Sequence, residues 1–230
     1  MTSGLGSGRS VGLRVGIAGG GIAGLTLAAA LEPHGFDLVV LERQPEVRDS
    51  GAGISLWPNA RAALDVAGLG AVVRSLGRTL AEGGEKRLDG RVALNFSGRS
   101  FEAALGEGLV CVDRGELVRA LTARIRPGTV RTSCAVTGFE LDASGVTVRL
   151  ADGASLAVDA LVGADGINSA VASVLNGPLQ TSYSGYAAWR GIAETSYPPD
   201  SDKLWACLAG GHEFGWMHVG DDRTYWFATS

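Results

Sequence analysis

Cysteine and histidine are scarce in this sequence, three of each in 230 residues. Cys111, Cys134 and Cys207 show no paired spacing, which argues against a disulfide framework and reads as buried thiols in a reducing cytoplasm. His34, His212 and His218 lack ligand spacing, so no metal site is expected. A strong excess of either charge is missing too. A net −4 is spread thinly, with no basic stripe to hold nucleic acid. No internal repeat occurs, and no run suits a membrane span. Val15 to Leu31, behind Arg9 and Arg14, superficially resembles a secretory leader, but five of those seventeen residues are glycine. The expectation is a cytoplasmic protein that touches neither membrane nor nucleic acid.

What is present is apolar residue and glycine: 46% of the chain is hydrophobic, 19% is charged, and 35 residues are glycine. That composition suits a globular protein with a real core. The glycines gather in turns and motifs. The most informative segment is Arg14 to Arg43. An apolar run, Arg14 to Ala18, reads as a buried parallel strand. It turns through Gly19-Gly20-Gly21-Ile22-Ala23-Gly24 into an Ala- and Leu-rich helix, and a second strand, Asp37 to Leu41, ends on Glu42. Each residue type has a physical reason to be there. Gly19 permits the tight turn, Gly21 lets a pyrophosphate approach the backbone, and Gly24 lets helix and strand pack closely. The pyrophosphate then meets the free N–H groups of the helix start, around Ile22 and Ala23. Glu42, 18 residues past Gly24, is placed to accept hydrogen bonds from ribose hydroxyls.

Further along, Gly51-Ala52-Gly53-Ile54 reads as a small-residue loop, and Pro58 opens a helix through Leu64. Residues 70–110 mix short β-like runs with Gly and Arg and suggest no chemistry. Asp113 reads as the N-cap of a helix, with Glu116 as its capping-box partner. Ala135 to Leu141 and Val146 to Leu150 form a hairpin, and Leu156 to Val162 is a single strand ending in Gly163-Ala164-Asp165-Gly166. That ending aims a carboxylate at the sheet edge where α/β proteins bind ligands, or it is an ordinary Asp-Gly turn. From Tyr183 onward the runs are aromatic and β-prone, with four of the five tryptophans, and imply an antiparallel sheet of a second domain. The domains expected are a disordered tail at 1–12, a dinucleotide-binding domain at 13–180 with an inserted segment at 70–110, and an incomplete sheet domain at 181–230.

Taken together, these motifs resemble the FAD-dependent aromatic hydroxylases, the single-component (group A) flavoprotein monooxygenases of the p-hydroxybenzoate hydroxylase type. The resemblance rests on Gly19–Gly24 with Glu42-Arg43, Gly51–Ile54 with Pro58-Asn59, Asp113-Arg114 with Leu117, Gly163–Gly166 and Tyr186–Gly191. It implies an α/β fold: a Rossmann-like FAD-binding domain joined to part of an antiparallel β-sheet substrate domain. It implies that Glu42 holds the adenosine ribose and that Arg43 and Arg114 contact the cofactor. The backbone at Val136 would pass the adenine, Asp165 and Gly166 would hold the diphosphate–ribityl region, and Ala52 and Gly53 would run beside the isoalloxazine.

Such enzymes reduce FAD with NADH or NADPH, then form a flavin C4a-hydroperoxide with O2 that hydroxylates an aromatic or conjugated small molecule. No catalytic triad is expected. Tyr186, Arg190 and Trp216 are the substrate-side candidates, among Trp189, Trp205, His218 and Tyr225 on the same sheet. Arg190 leads on the argument that a buried Arg needs an anionic or carbonyl partner. Two departures from the family pattern stand out. Ala172 replaces the usual Arg after the Asp-Gly segment, and no Gly-Asp-Ala-Ala-His-like segment is found. The expectation is a C-terminally truncated member or one half of a split monooxygenase with a separate C-terminal half. A non-catalytic dinucleotide-binding protein is the alternative.

Overall fold

A computed structural model describes residues 12–47, 52–143, 145–195, 202–220 and 222–230. Residues 1–11 of the expected tail, Gly51 of the small-residue loop and Ser144 of the hairpin turn lie outside the described residues. The first half of the chain runs β1 (Arg14–Ala18), α1 (Ile22–Leu31), β2 (Asp37–Leu41), β3 (Gly53–Leu56), α2 (Pro58–Val66), α3 (Gly70–Leu76) and β4 (Arg78–Thr79). It continues with β5 (Glu82–Arg87), β6 (Val92–Ser97), α4 (Gly98–Leu105), β7 (Val110–Asp113) and α5 (Arg114–Thr122). The second half holds β8 (Val130–Arg131), β9 (Val136–Asp142), β10 (Gly145–Leu150), β11 (Ser155–Val158), β12 (Ala160–Gly163) and α6 (Ala170–Asn176). Last come β13 (Ala188–Glu194), β14 (Lys203–Ala209), β15 (His212–His218) and β16 (Arg223–Thr229).

The chain divides into two compact units, Met1–Val47 with Ile125–Leu179, and Arg48–Arg124 with Gln180–Ser230. The second unit takes in more than the expected insertion at 70–110, because β14 pairs in parallel with β5 and ties the two stretches into one sheet.

In the first unit a parallel sheet runs in the order β12-β1-β2-β8. Strands β1 and β2 are buried at four of their five positions, the pattern of strands covered on both faces. Leu25 and Ala28 of α1 are fully buried. An antiparallel sheet, β11-β10-β9, packs Val146, Val148 and Val158 against Val39 and Leu41. The single strand expected over Leu156 to Val162 is two strands in two sheets: β11 pairs antiparallel with β10, and β12 pairs parallel with β1. The chain switches sheets at Asp159. Its N–H donates to the Arg14 carbonyl at 2.8 Å, and its Oδ2 accepts the Arg14 N–H at 2.6 Å.

In the second unit a six-stranded sheet runs β13-β16-β15-β14-β5-β6, beside a small β3-β7-β4 sheet. The expected aromatic strands form, but the sheet is mixed rather than wholly antiparallel, through the parallel β14–β5 pair. Register sorts the side chains onto two faces. One face carries Ile192, Tyr225, Met217 and Leu204 in a row across four strands. Met217 and Tyr225 join Leu80, Leu109, Cys111 and Val219 in the core. The opposite face carries Trp226, Trp216 and Trp205 in a row. Lys86 Nζ lies 3.8 Å over the Trp205 ring, a cation–π contact.

Candidate functional site

Strand β1 delivers the chain into a turn that only glycine fits. Gly19 has φ +103, and a Cβ there would lie 2.3 Å from the Ala164 carbonyl oxygen. Gly24 is the close-packing position: its Cβ would lie 2.0 Å from the Gly19 carbonyl oxygen. Gly21 is different. It caps α1 with φ −80 and ψ −176, and a Cβ there would meet nothing within 4 Å. Helix α1 begins with no side-chain cap and no acidic residue in its first turn. Its first N–H groups and positive dipole end therefore lie beside open space, where an anion is favoured.

Glu42 stands at the end of β2 beside this turn. Its Oε2 accepts the Gly20 N–H at 2.7 Å and its Oε1 accepts the Gln44 N–H at 2.8 Å. Each carboxylate oxygen has two lone pairs, so both retain capacity for further donors. The segment after β8 runs alongside: Ser133 N–H donates to the Gln44 carbonyl and Cys134 N–H to the Glu42 carbonyl, each at 2.8 Å. Ser133 adopts φ +55, the one described non-glycine residue in the left-handed region, and the chain then enters β9 at Val136. Glu42 and the backbone leading to Val136 are thus brought together, with exposed Arg43 next in sequence.

The Gly163–Gly166 segment reaches the same turn through the Gly19–Ala164 approach, yet the Asp165 carboxylate is engaged elsewhere. Its Oδ1 accepts the Ser169 hydroxyl, and its Oδ2 accepts the N–H groups of Ala170 at 2.7 Å and Val171 at 3.3 Å. Ser169 is the N-cap of α6, accepting the Ala172 N–H at 2.9 Å. Asp165 thereby fixes the start of α6. Gly166, at φ +80, turns the chain between them.

In the second unit Ala52 and Arg114 meet through the backbone, the Arg114 N–H donating to the Ala52 carbonyl at 2.8 Å. Gly53 pairs with Asp113, and a Cβ on it would lie 2.6 Å from the Tyr225 ring. Close sheet packing therefore demands a glycine here. Asp113 caps α5 as expected, its Oδ1 accepting from Gly115 N–H at 2.7 Å and Glu116 N–H at 3.2 Å. Glu116 does not close the capping box. Its Oε1 takes Arg119 at 3.0 Å and Arg223 at 3.2 Å. The hydrogen bond from Arg119 holds the Glu116 carboxyl below its ordinary pKa. Arg223 also donates to the buried Asp113 Oδ2 at 2.7 Å, a role that local sequence gives no sign of, since the partners lie 110 residues apart.

A family model described as an FAD binding domain matches residues 12–224. The chain belongs to that FAD-binding family. Among its relatives, it is 36% identical over 219 residues to an aurachin C monooxygenase/isomerase of Stigmatella aurantiaca, covering 95% of this chain and 57% of the relative. It is 38% identical over 188 residues to a 3-amino-4-hydroxybenzoate 2-monooxygenase of Streptomyces platensis, covering 81% of this chain and 47% of the relative. Its fold matches the crystal structure of Klebsiella pneumoniae HpxO complexed with FAD and uric acid. The TM-score is 0.86 at 30% identity, over 94% of this chain and 56% of that one. The chain thus spans about half the length of these relatives.

Within this FAD-binding fold, the substrate-side candidates separate. Trp216 lies on the sheet face opposite Gly53, in the row with Trp205 and Trp226. Trp189 and His218 share that face, His218 being fully buried with Nδ1 3.3 Å from the Thr224 hydroxyl. Strict alternation along β15 sends Met217, not Trp216, toward Gly53. Arg190 is on the Gly53-side face, in register with Phe227 and Gly215. It is exposed on the edge strand β13, so the argument from burial does not hold for it. Tyr186 is also exposed. The expectation of buried thiols holds for Cys111, whose pKa burial pushes to about 11. Cys134 and Cys207 are only half-buried, and all three thiols are free. No described helix is long and apolar enough to cross a membrane.

Proposed function

We propose that this chain binds FAD through the Gly19–Gly24 turn and serves as the FAD-binding part of an NADH- or NADPH- and O2-dependent monooxygenase acting on an aromatic or conjugated small molecule. The observation that carries the reading is the unblocked space over Gly21 at the uncapped start of α1. A diphosphate placed there meets helix N–H groups and the positive dipole end with no side chain in the way. Glu42 supports it: a carboxylate already oriented by two backbone N–H groups is pre-set to accept from ribose hydroxyls. Val136 would offer backbone to the adenine, Arg43 would add positive charge near the phosphates, and Ala52, Gly53 and Arg114 would serve the flavin end. Asp165 would act indirectly, by fixing the loop that meets Gly19. Bound FAD would supply the redox and oxygen chemistry, while the protein orients substrate and excludes water.

The relatives are about twice as long, and the reading assigns the hydroxylation step to a protein that includes their remaining portion, in the same chain or in a separate one. The purified chain loaded with FAD is therefore expected to show no substrate-stimulated oxidation of NADH or NADPH. A screen of aromatic acids, phenols and N-heterocycles, followed by nicotinamide absorbance, tests this. Robust stimulated turnover by the 230 residues alone would contradict the need for the remaining portion. A non-catalytic dinucleotide-binding protein is favoured instead if FAD and ADP-ribose bind equally well, and the engagement of Asp165 with α6 is the feature consistent with it.

A further inference from the structure

The face of the six-stranded sheet turned away from Gly53 is aromatic and open. Register lines up Trp226, Trp216 and Trp205 in one row. The next row holds Trp189, Ala228, Phe214, Cys207 and Lys86, one from each of five neighbouring strands. Trp189 is 56% exposed and Phe214 46%, while Trp216 and Trp226 are half-buried. Phe214 sits between those two, its ring centre 6.0 Å from Trp216 and 6.4 Å from Trp226. Of the residues in these two rows, only Lys86 is charged.

Aromatic side chains carry about 150–250 Å² each, so these exposures leave roughly 350 Å² of ring surface in water, a patch large enough to mark an interaction site. Packed against its own copy, the patch removes about 700 Å² of apolar surface. At the usual apolar share of about 60%, the whole interface then covers about 1,200 Å², the lower end of specific interfaces. The patch is flat and several strands wide. That shape suits a second sheet laid face to face about 10 Å away, whereas a docking helix fills a groove along one stripe.

We propose that this face pairs with the same face of a second copy of the chain, about a two-fold axis running along β15. Strands β13 and β5 stand two places from β15 on either side, so that axis lays β13 of each copy over β5 of the other. Phe214 then meets Phe214 at the centre. The small Cys207 faces the small Ala228, which leaves the rings room. Lys86 comes to Trp189 of the other copy, because both belong to the Phe214 row. Its ammonium already lies 3.8 Å over the Trp205 ring, and the second indole encloses it in a cation–π contact made twice by symmetry. One patch thus carries cation and ring in matching places, the self-complementarity that a two-fold interface requires. This pairing is independent of FAD.

Sedimentation velocity of the full chain over a concentration series tests it, with Phe214→Lys, Phe214→Glu, their equimolar mixture and Lys86→Gln run beside the wild type. The wild type is expected to pass reversibly from monomer to dimer as concentration rises, with a blue shift of tryptophan emission as Trp189 loses water. Phe214→Lys and Phe214→Glu each set like charges against one another at the axis and are expected to dimerise about tenfold more weakly or worse. Mixed, they are expected to regain the dimer, because opposite charges then meet; mixing would not repair a folding defect. Lys86→Gln is expected to weaken the dimer by about tenfold, and it decides the matter if the Phe214 variants fold poorly. A chain that stays monomeric at every concentration leaves the face to some other partner and overturns the proposal. A dimer that all three variants leave unchanged, or a mixture that stays monomeric, overturns it equally.

Discussion

Alanine at Gly21 and alanine at Gly24 separate the two jobs of the glycine turn. At Gly21 the added Cβ meets nothing within 4 Å and the backbone angles suit any residue. The cost to stability is expected to be that of a poorer N-cap, about 0.5 kcal/mol. FAD affinity is expected to fall by tenfold or more, because the methyl stands where the diphosphate approaches. At Gly24 the methyl is driven into the Gly19 carbonyl, and overpacking of this kind costs about 1–3 kcal/mol. Thermal melts beside FAD titrations check both. A Gly21→Ala chain that melts normally and binds FAD as the wild type does would remove the reason for placing a diphosphate there. The glycine positions, Glu42 and the two strands around them were legible in sequence, because each job is local: turn, approach, close packing. The engagement of Asp165 with α6 was not. The same Asp-Gly dipeptide suits many turns, and only the positions of Ser169, Ala170 and Val171 show the helix contact.

At the scale of elements, the start of α5 depends on a strand far away in sequence. Arg223 of β16 ties the buried Asp113 cap and Glu116 together. Arg223→Met is expected to destabilise the protein by about 2 kcal/mol, the loss of charged hydrogen bonds to a group that stays buried. Part of this is pH-dependent. The folded-state pKa of Glu116 is lowered, first by the hydrogen bond from Arg119 and to a smaller degree by Arg223, so the share due to Arg223 is present above the ordinary glutamate range and is lost as pH falls through the lowered value. The gap between wild type and Arg223→Met in denaturant melts is therefore expected to narrow on acidification. An unchanged gap would mean that Glu116 contributes nothing through Arg223. Element boundaries followed the sequence pattern where it was regular, as in β1, β2 and the Pro58 helix start. The pattern could not show that Leu156 to Val162 splits at Asp159, since both halves read as apolar strand and the switch depends on Arg14. Nor could it tell which aromatics share a face with Gly53. Alternation gives two faces, and only the packing of Met217 and Tyr225 against Gly53 says which one meets it.

At the scale of the whole molecule, the chain holds a complete glycine turn and an oriented acid within about half the length of its relatives. Its first unit contains the residues assigned to the ADP half of FAD, and that assignment is the central claim. Titration of the purified chain with FAD, FMN and ADP-ribose, followed by flavin fluorescence and calorimetry, tests it most directly. The account predicts saturable binding of FAD, weaker binding of ADP-ribose and no saturable binding of FMN, which lacks the adenosine that Glu42 and the Val136 backbone would meet. FMN bound as tightly as FAD, or FAD not bound at all by the folded chain, would contradict it.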